Sequence, residues 1–541
     1  MPRTPVSELI EDTVERLNHV INWHELPLPL GIVNLIELRN ALREENLQDT
    51  SGGGVSDPTP ADPGARRLYA RTADGGHNDL HAPGMGSTGA RIGRNVPLDA
   101  GWPDRDRLMT PNPRDVSQAL LARDEFVPVE ALNLLAAAWI QFMTHDWFAH
   151  EDDDERSLTM PPANGDNSVP MSVPETKIDP TWSAEAGQPP THRNRVTHWW
   201  DGSQVYGSDA VTLAGLRTGT GGEMKIGPEG RIERDPATGN PKAGFTDNWW
   251  LGLDLMHSLF VLEHNTICGH LRQAYPDWDD DALFDRARLI NSALMAKIHT
   301  VEWTPAILQH PTLQLAMRAN WWGLQGEDSH EVLGRISESE VISGIPGSEQ
   351  DHHGAPFQMT EEFVSVYRMH PLMPDELSIV DIDSNAETGR VPMALAAFQG
   401  ATALLQNNSL VNLFYSFGRA HPGALVLRNY PNWLRNLELP GGRTVDLAAV
   451  DILRDRERGV PRYCAFRRLL RLKAPTSFDQ LTDDPVLARE LERVYDGDIE
   501  AVDTMVGMFG ETPPKGFGFS DTAFRIFILM ASRRLKSDRF Y

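Results

Sequence analysis

Apolar residues recur every three or four positions over most of the chain, a period that predicts a mainly helical protein. Residues 129–150, VEALNLLAAAWIQFMTHDWFAH, are apolar nearly all round, as a buried helix is. That helix nevertheless carries Gln141 and His145 on one face, with Asp146 a quarter-turn away, so it faces two adjoining sites. Residues 245–275 predict a long amphipathic helix with Leu253, Met256, His257, Phe260, Leu262 and Glu263 at core spacing, and His257 and His264 on one face. Residues 283–308 predict another, broken near Pro305, with His299 and Thr304 at its end either to cap it or to hold an anion. Residues 391–500 continue mainly helical, with basic spots at Arg467 and Arg468.

The last helix opens on Ser520 as cap and Asp521 in the first turn, and buries Phe524, Phe527, Ile528 and Leu535. Arg533 and Arg534 follow its apolar run, and a buried guanidinium there needs a carboxylate from protein or substrate. At the other end, residues 4–48 hold two helical patterns. One runs through Ile10, Val14, Leu17, Val20 and Ile21, the other through Ile32, Leu35, Ile36, Leu38 and Leu42. These helices either pack on the body or form an apolar lip that touches membrane.

Between the helices lie segments of other kinds. Residues 49–130, rich in Gly, Pro, Asp and Arg, predict irregular structure wrapped over a core. The acidic run at 151–155 predicts a solvated face or a helix-ending loop. In THRNRVTHWWDGSQVYGSD, residues 191–209, Thr197, Trp199, Asp201 and Ser203 alternate, which in an extended loop lines up their oxygens. Hard oxygens of this kind suit calcium, and Asp146 could close the shell. Neither the EF-hand loop nor the HExxH zinc pattern is present.

In EEFVSVYRMHPLMPDEL, residues 361–377, a helix should stop at or near His370, because Pro371 restricts the residue before it. Tyr367 and His370 would then share a face, with roughly 5–6 Å between Cβ atoms. With a haem iron on His370, a phenol would sit beside the macrocycle. Without one, the pair is a buried His and Tyr satisfied by hydrogen bonds.

Composition narrows the choices. The net charge of −26 over 541 residues argues against a nucleic-acid partner. Two cysteines, Cys268 and Cys464, are too few for a disulfide framework and fit a reduced, cytoplasmic compartment. No apolar run reaches the roughly 18–20 residues that span a bilayer.

The blocks QFMTHDW, THWWDGSQVYGS, FVLEHNTIC, KIHTVEWTPAIL, VYRMHPLMPD and GFGFSDTAF with LMASRRL occur in that order. Together they resemble the animal-type haem peroxidase and cyclooxygenase superfamily, and within it the fatty acid alpha-dioxygenases of plants and bacteria. The resemblance runs from WHELPLPLG near residue 23 to the end of the chain. It implies a mainly α, large single-domain haem peroxidase fold of cyclooxygenase type, with long irregular loops. Residues 49–541 would be the catalytic domain and 1–48 a helical segment packed on it or touching membrane.

The resemblance also implies roles. His370 would be the proximal iron ligand, His145 the distal histidine and Tyr367 the radical tyrosine. Asp146, Thr197, Asp201, Ser203 and the Trp199 carbonyl would hold Ca2+. His299, Thr304 and Arg533, with Arg534 as its rival, would hold the substrate carboxylate. Thr144 and a tryptophan of the NWW run stand where mammalian peroxidases carry ester-linked acids, so haem b should bind non-covalently. No arginine of FTDNWW stands in for those enzymes' catalytic one, which implies weaker peroxidase chemistry. The expected reaction, started by an activating peroxide, adds O2 to carbon 2 of a long-chain fatty acid through a tyrosyl radical and gives a 2-hydroperoxy acid. The alternatives are a haem peroxidase of small reductants and a mid-chain fatty acid dioxygenase.

Overall fold

The computed structural model describes residues 22–50, 58–166, 168–236 and 239–541. The pattern from Ile10 to Ile21 lies outside them. Eight helices position the site: α1 (Leu28–Glu45), α2 (Leu135–Trp147), α3 (Leu251–Ala274), α4 (Asp280–Ile298), α5 (Pro311–Trp322), α6 (Glu361–Val366), α7 (Leu447–Glu457) and α8 (Asp521–Ser537). Strands are few, and among the described residues they form three two-stranded antiparallel pairs.

Helix α2 crosses α3, where Phe142 stacks on Phe260 at 5.3 Å, and α3 packs along α4. α2 begins six residues later than its apolar pattern. The stretch before it is held as loop by main-chain bonds such as Val129 N–H to Pro422 O and Leu134 N–H to Ala420 O, both 2.8 Å. In α3 the core face drifts: His257 and Phe260 are buried, but Leu262 is exposed and Glu263 half-buried. α1 buries Ile32, Leu35, Leu38 and Leu42 and packs against α5 and α8. Among the described residues, no helix is long and apolar enough to cross a membrane.

The acidic run is not a helix-ending loop. It starts a strand, β1 (Asp152–Met160), which pairs with β2 (Met171–Thr176). Met160, Met171 and Val173 bury themselves with Leu108, Val445 and Leu453 in a small second core, while most of β1's polar residues face out. Residues 58–130 are largely irregular, as expected, and pack tightly over the 197–203 loop. Gly86 (φ +66°) needs its glycine twice over, since a Cβ there would lie 2.6 Å from the Trp199 ring.

Helix α6 ends at Val366, not near His370. Arg368 leaves the helix to reach Asp451 (2.7 Å) and Asp455 (3.1 Å), and Met369 N–H turns back onto Tyr367 O at 2.8 Å. His370 opens a separate 3-10 turn with Pro371 and Leu372. Tyr367 and His370 therefore do not share one helical face.

Glu340 secures α1 by pairing with Arg39 (2.7 Å) and Arg43 (2.8 Å). Burial favours the neutral acid, but the two arginines hold this carboxyl down at about 2. A depressed carboxyl adds stability above its unfolded value and loses it as pH falls through its folded one. Glu340→Gln strands two buried guanidinium groups, at a cost of about 3–5 kcal/mol. The drop in thermal midpoint against wild type should be full at neutral pH and narrow between 4.5 and about 2.

Candidate active site

The site draws side chains from α2, α3, α7 and α8, from the turns that follow α4 and α6, and from the 197–203 loop. His370 offers Nδ1 to the Asp451 carboxylate at 2.8 Å. Asp451 also accepts from Arg368 (2.7 Å) and the Tyr430 hydroxyl (2.9 Å). Burial pushes the Asp451 carboxyl up, but His370 and Arg368 outweigh it and keep it ionised. An ionised acceptor fixes the proton on Nδ1 and leaves the Nε2 lone pair as a ligand atom. The His370 side chain is 35% exposed, so that atom is reachable.

His145, on α2, is driven down to about 4 by burial and is neutral. Its ring meets Phe245 at 4.8 Å, and its Nδ1 has no hydrogen-bond partner. Gln141, one turn earlier, accepts from Trp250 Nε1 at 2.7 Å and donates to Asn248 O at 3.2 Å. His257 is buried nearby with both nitrogens unpartnered, against Trp249 and Phe142.

Trp147 is the hub. Its ring meets Tyr367 (5.4 Å), His299 (5.2 Å) and Trp200 (5.8 Å) edge-on. The Arg534 guanidinium lies 3.8 Å from the Trp147 ring centre and 4.2 Å from that of Trp200. None of its three nitrogens has a hydrogen-bond acceptor. Burial lowers it to about 10, so it stays charged at neutral pH. The Tyr367 hydroxyl is buried and unpartnered too, its ionisation pushed up by burial and partly offset by Arg534.

His299 opens a π turn, His299–Trp303, that follows α4 directly. Its Nδ1 accepts from Trp139 Nε1 at 3.2 Å, so the proton sits on Nε2, which has no partner. Burial, then Arg534, holds this imidazole well below its ordinary value. The Thr304 hydroxyl donates to His299 O at 2.7 Å, so its proton is committed to the turn. Arg533 faces away from this cluster. Its Nη2 donates to the carbonyls of His352, Ala355 and Pro356 at 3.1, 2.7 and 2.9 Å. The free guanidinium is therefore that of Arg534, not of Arg533.

The 197–203 loop bends instead of extending, and turns at Gly202 (φ +75°). Asp146 Oδ1 accepts from Ser203 N (2.5 Å) and Oγ (2.9 Å), while its Oδ2 is buried and unpartnered. Asp201 accepts from Thr197 Oγ1 at 2.8 Å and pairs with Arg288 at 3.2 Å. Trp199 is buried and stacks on Phe357 at 4.6 Å. Burial, then the nearby Asp201, pushes the Asp146 carboxyl up to about 8.

Residues 70–541 match the animal haem peroxidase family. An alpha-dioxygenase of Pisum sativum is 39% identical over 96% of this chain and 82% of its own length. The chain belongs to the animal haem peroxidases, on their alpha-dioxygenase branch. The fatty acid alpha-dioxygenase crystal structure from Arabidopsis thaliana superposes with a TM-score of 0.92 at 36% identity, over 100% of this chain and 86% of that one. A tyrosine-to-phenylalanine form of the Oryza sativa enzyme with palmitic acid gives a TM-score of 0.92 at 36% identity, over 100% of this chain and 90% of that one.

The residues of this alpha-dioxygenase relative fit a haem. An imidazole oriented by a carboxylate stands free to ligate, and buried imidazoles with unsatisfied nitrogens gather around α2 and α3. Asp451 lies eighty-one residues beyond His370, and no spacing rule in the sequence pairs the two. Trp147 and Trp200 were equally unmarked, although both lie inside the blocks that carry the resemblance. Asp451→Ala should lower haem affinity about 10–100-fold. Titrating the apoprotein with haemin and following the Soret band checks this.

Proposed function

We propose that this protein is a haem-dependent fatty acid alpha-dioxygenase that adds O2 at carbon 2 of long-chain fatty acids. The observation that carries the reading is a buried cation, Arg534, with no acceptor, packed on the same indole as the Tyr367 phenol. A fatty acid carboxylate supplies the missing acceptor. Arg534 forms charge-assisted bonds to it, and neutral His299 donates one more from Nε2. Thr304 acts through its bond to the His299 carbonyl, by steadying the turn that presents the imidazole. With the head group anchored beside Tyr367, carbon 2 is the carbon within reach of the phenolic oxygen.

Haem b would be held by His370, with His145 as the second histidine of its pocket and no ester links, and would supply the oxidising equivalent for Tyr367 when a peroxide is present. The Tyr367 radical takes one hydrogen atom from carbon 2. O2 adds to the carbon radical, and the peroxyl radical takes the hydrogen atom back from Tyr367. The product is a 2-hydroperoxy acid and the tyrosyl radical is regenerated. His145, kept neutral at physiological pH by burial, would accept or return a proton at its unpartnered Nδ1.

Asp146, Asp201, Thr197, Ser203 and the Trp199 carbonyl would hold Ca2+. Two buried carboxylates raise each other's cost of ionisation, and a divalent cation removes that cost. Leu28, Leu30 and Val33, exposed on α1, support peripheral contact with a lipid surface.

An oxygen electrode with palmitate, followed by product identification, tests the assignment. Wild type should consume oxygen and place it on carbon 2, and Tyr367→Phe should abolish uptake while the Soret band persists. Arg534→Met should lower kcat/KM for palmitate about 100-fold, as expected for removing a desolvated charge partner. Arg533→Met should act chiefly on thermal midpoint. Oxygen on a mid-chain carbon, or full activity in Arg534→Met, would overturn the reading. Calcium chelation should lower the thermal midpoint of wild type and leave that of Asp146→Asn unchanged.

A further inference from the structure

A second cluster of ligand groups lies outside this machinery. His150 stands three residues beyond the end of α2, His192 lies in the segment that leads to the 197–203 loop, and Glu361 is the first residue of α6. His150 Nε2 is 2.9 and 3.2 Å from the two Glu361 carboxylate oxygens, and His192 Nδ1 is 2.7 Å from one of them. The three ligand atoms lie within 4.8 Å of one another, and both imidazoles and the carboxylate are withdrawn from solvent.

We propose that His150, His192 and Glu361 form a structural site for a zinc-class divalent ion, separate from the haem and from the oxygen cluster of Asp146 and the 197–203 loop. Two imidazole nitrogens and one carboxylate are a borderline-soft set that zinc accepts, with water in the fourth position. The oxygen-only set around Asp146 suits a hard cation instead.

Two costs stand against the site. Adjacent ligands around a tetrahedral ion with ~2.0 Å bonds sit about 3.3 Å apart, so the two short histidine–carboxylate contacts must open by about half an ångström. Arg458 approaches His150 and repels a cation, although Glu361 and Glu457 act on its own charge. In return the ion would tie three segments together at one point. The end of α2 carries His145 and Asp146, His192 precedes Thr197, and α6 runs from Glu361 to Tyr367 at its C-terminal cap.

The test is metal content of the holoprotein, incubated with excess zinc chloride, desalted and analysed for zinc, iron and calcium. Zinc should be retained stoichiometrically, and its X-ray absorption edge should report two imidazole nitrogens with oxygen. The double variant His150→Ala/His192→Ala should lose the zinc while keeping its iron and Soret band. The edge spectrum of the unaltered protein decides the matter if that variant does not fold. Failure to retain zinc, zinc with another ligand set, or zinc undiminished in a folded variant would overturn the site and leave a hydrogen-bonded clasp. None of these outcomes bears on whether the protein oxidises fatty acids.

Discussion

A guanidinium taken out of water without an acceptor is among the costliest arrangements a fold can hold, and Arg534 is such a group. Indole faces on two sides offset part of the cost, since a desolvated cation–π contact contributes about 2 kcal/mol or more. Those contacts stabilise the charge without satisfying the N–H donors. The protein thus keeps a charged, rigidly packed donor set waiting for an anion. An anion that enters has no protein acceptor to displace from Arg534, so binding would regain desolvation cost already spent in folding. The other features of the site surround that guanidinium: the indoles that wall it, the imidazole beside it, and the phenol that shares its wall.

Three consecutive residues explain how one helix serves three purposes. Successive side chains of an α-helix point about 100° apart. His145, Asp146 and Trp147 at the end of α2 therefore face the proposed haem pocket, an oxygen-lined loop and the Arg534 cluster in turn. A shift of one residue in the packing of α2 would move all three together. The tight fit of Phe142 against Phe260 and of Trp147 against Trp200 sets that register. If the proposed roles hold, the shared rigid element would couple catalysis to the 197–203 loop, with no separate pathway required.

Periodicity made the helices legible, because burying one face imposes a 3.6-residue period whatever the neighbours are. It also marked His145, Asp146, His299 and Tyr367 as polar groups in apolar surroundings. What it could not resolve was set by contacts distant in sequence. α6 stops early because Arg368 is drawn to Asp451 and Asp455. The acidic stretch at 151–155 becomes strand because Met160 finds a partner core on α7, which a local charge pattern does not reveal. Arg533 and Arg534 differ by one residue in an apolar run that does not set its own phase. The carbonyls of the 352–356 loop decide which of the two is spoken for.

The π turn after α4 shows why a monoanion suits the cluster. A π turn inserts one residue into the helical ladder, which re-aims the side chains that follow and needs local support. Thr304 supplies support by bonding the His299 carbonyl, the acceptor that opens the turn. Trp139 then fixes the imidazole's proton on Nε2, and the two indoles that hold Arg534 also hold the ring edge-on, at 5.2 and 5.4 Å. Burial, and then Arg534, suppress protonation of His299, so the pair presents one positive charge, not two. One charge with several directed donors balances a single carboxylate. A phosphate dianion would bring a second charge into a buried space with nothing to neutralise it, a desolvation cost that the neutral imidazole cannot meet. The preference for an acid head group that the proposed function requires would thus follow from the proton that His299 does not take.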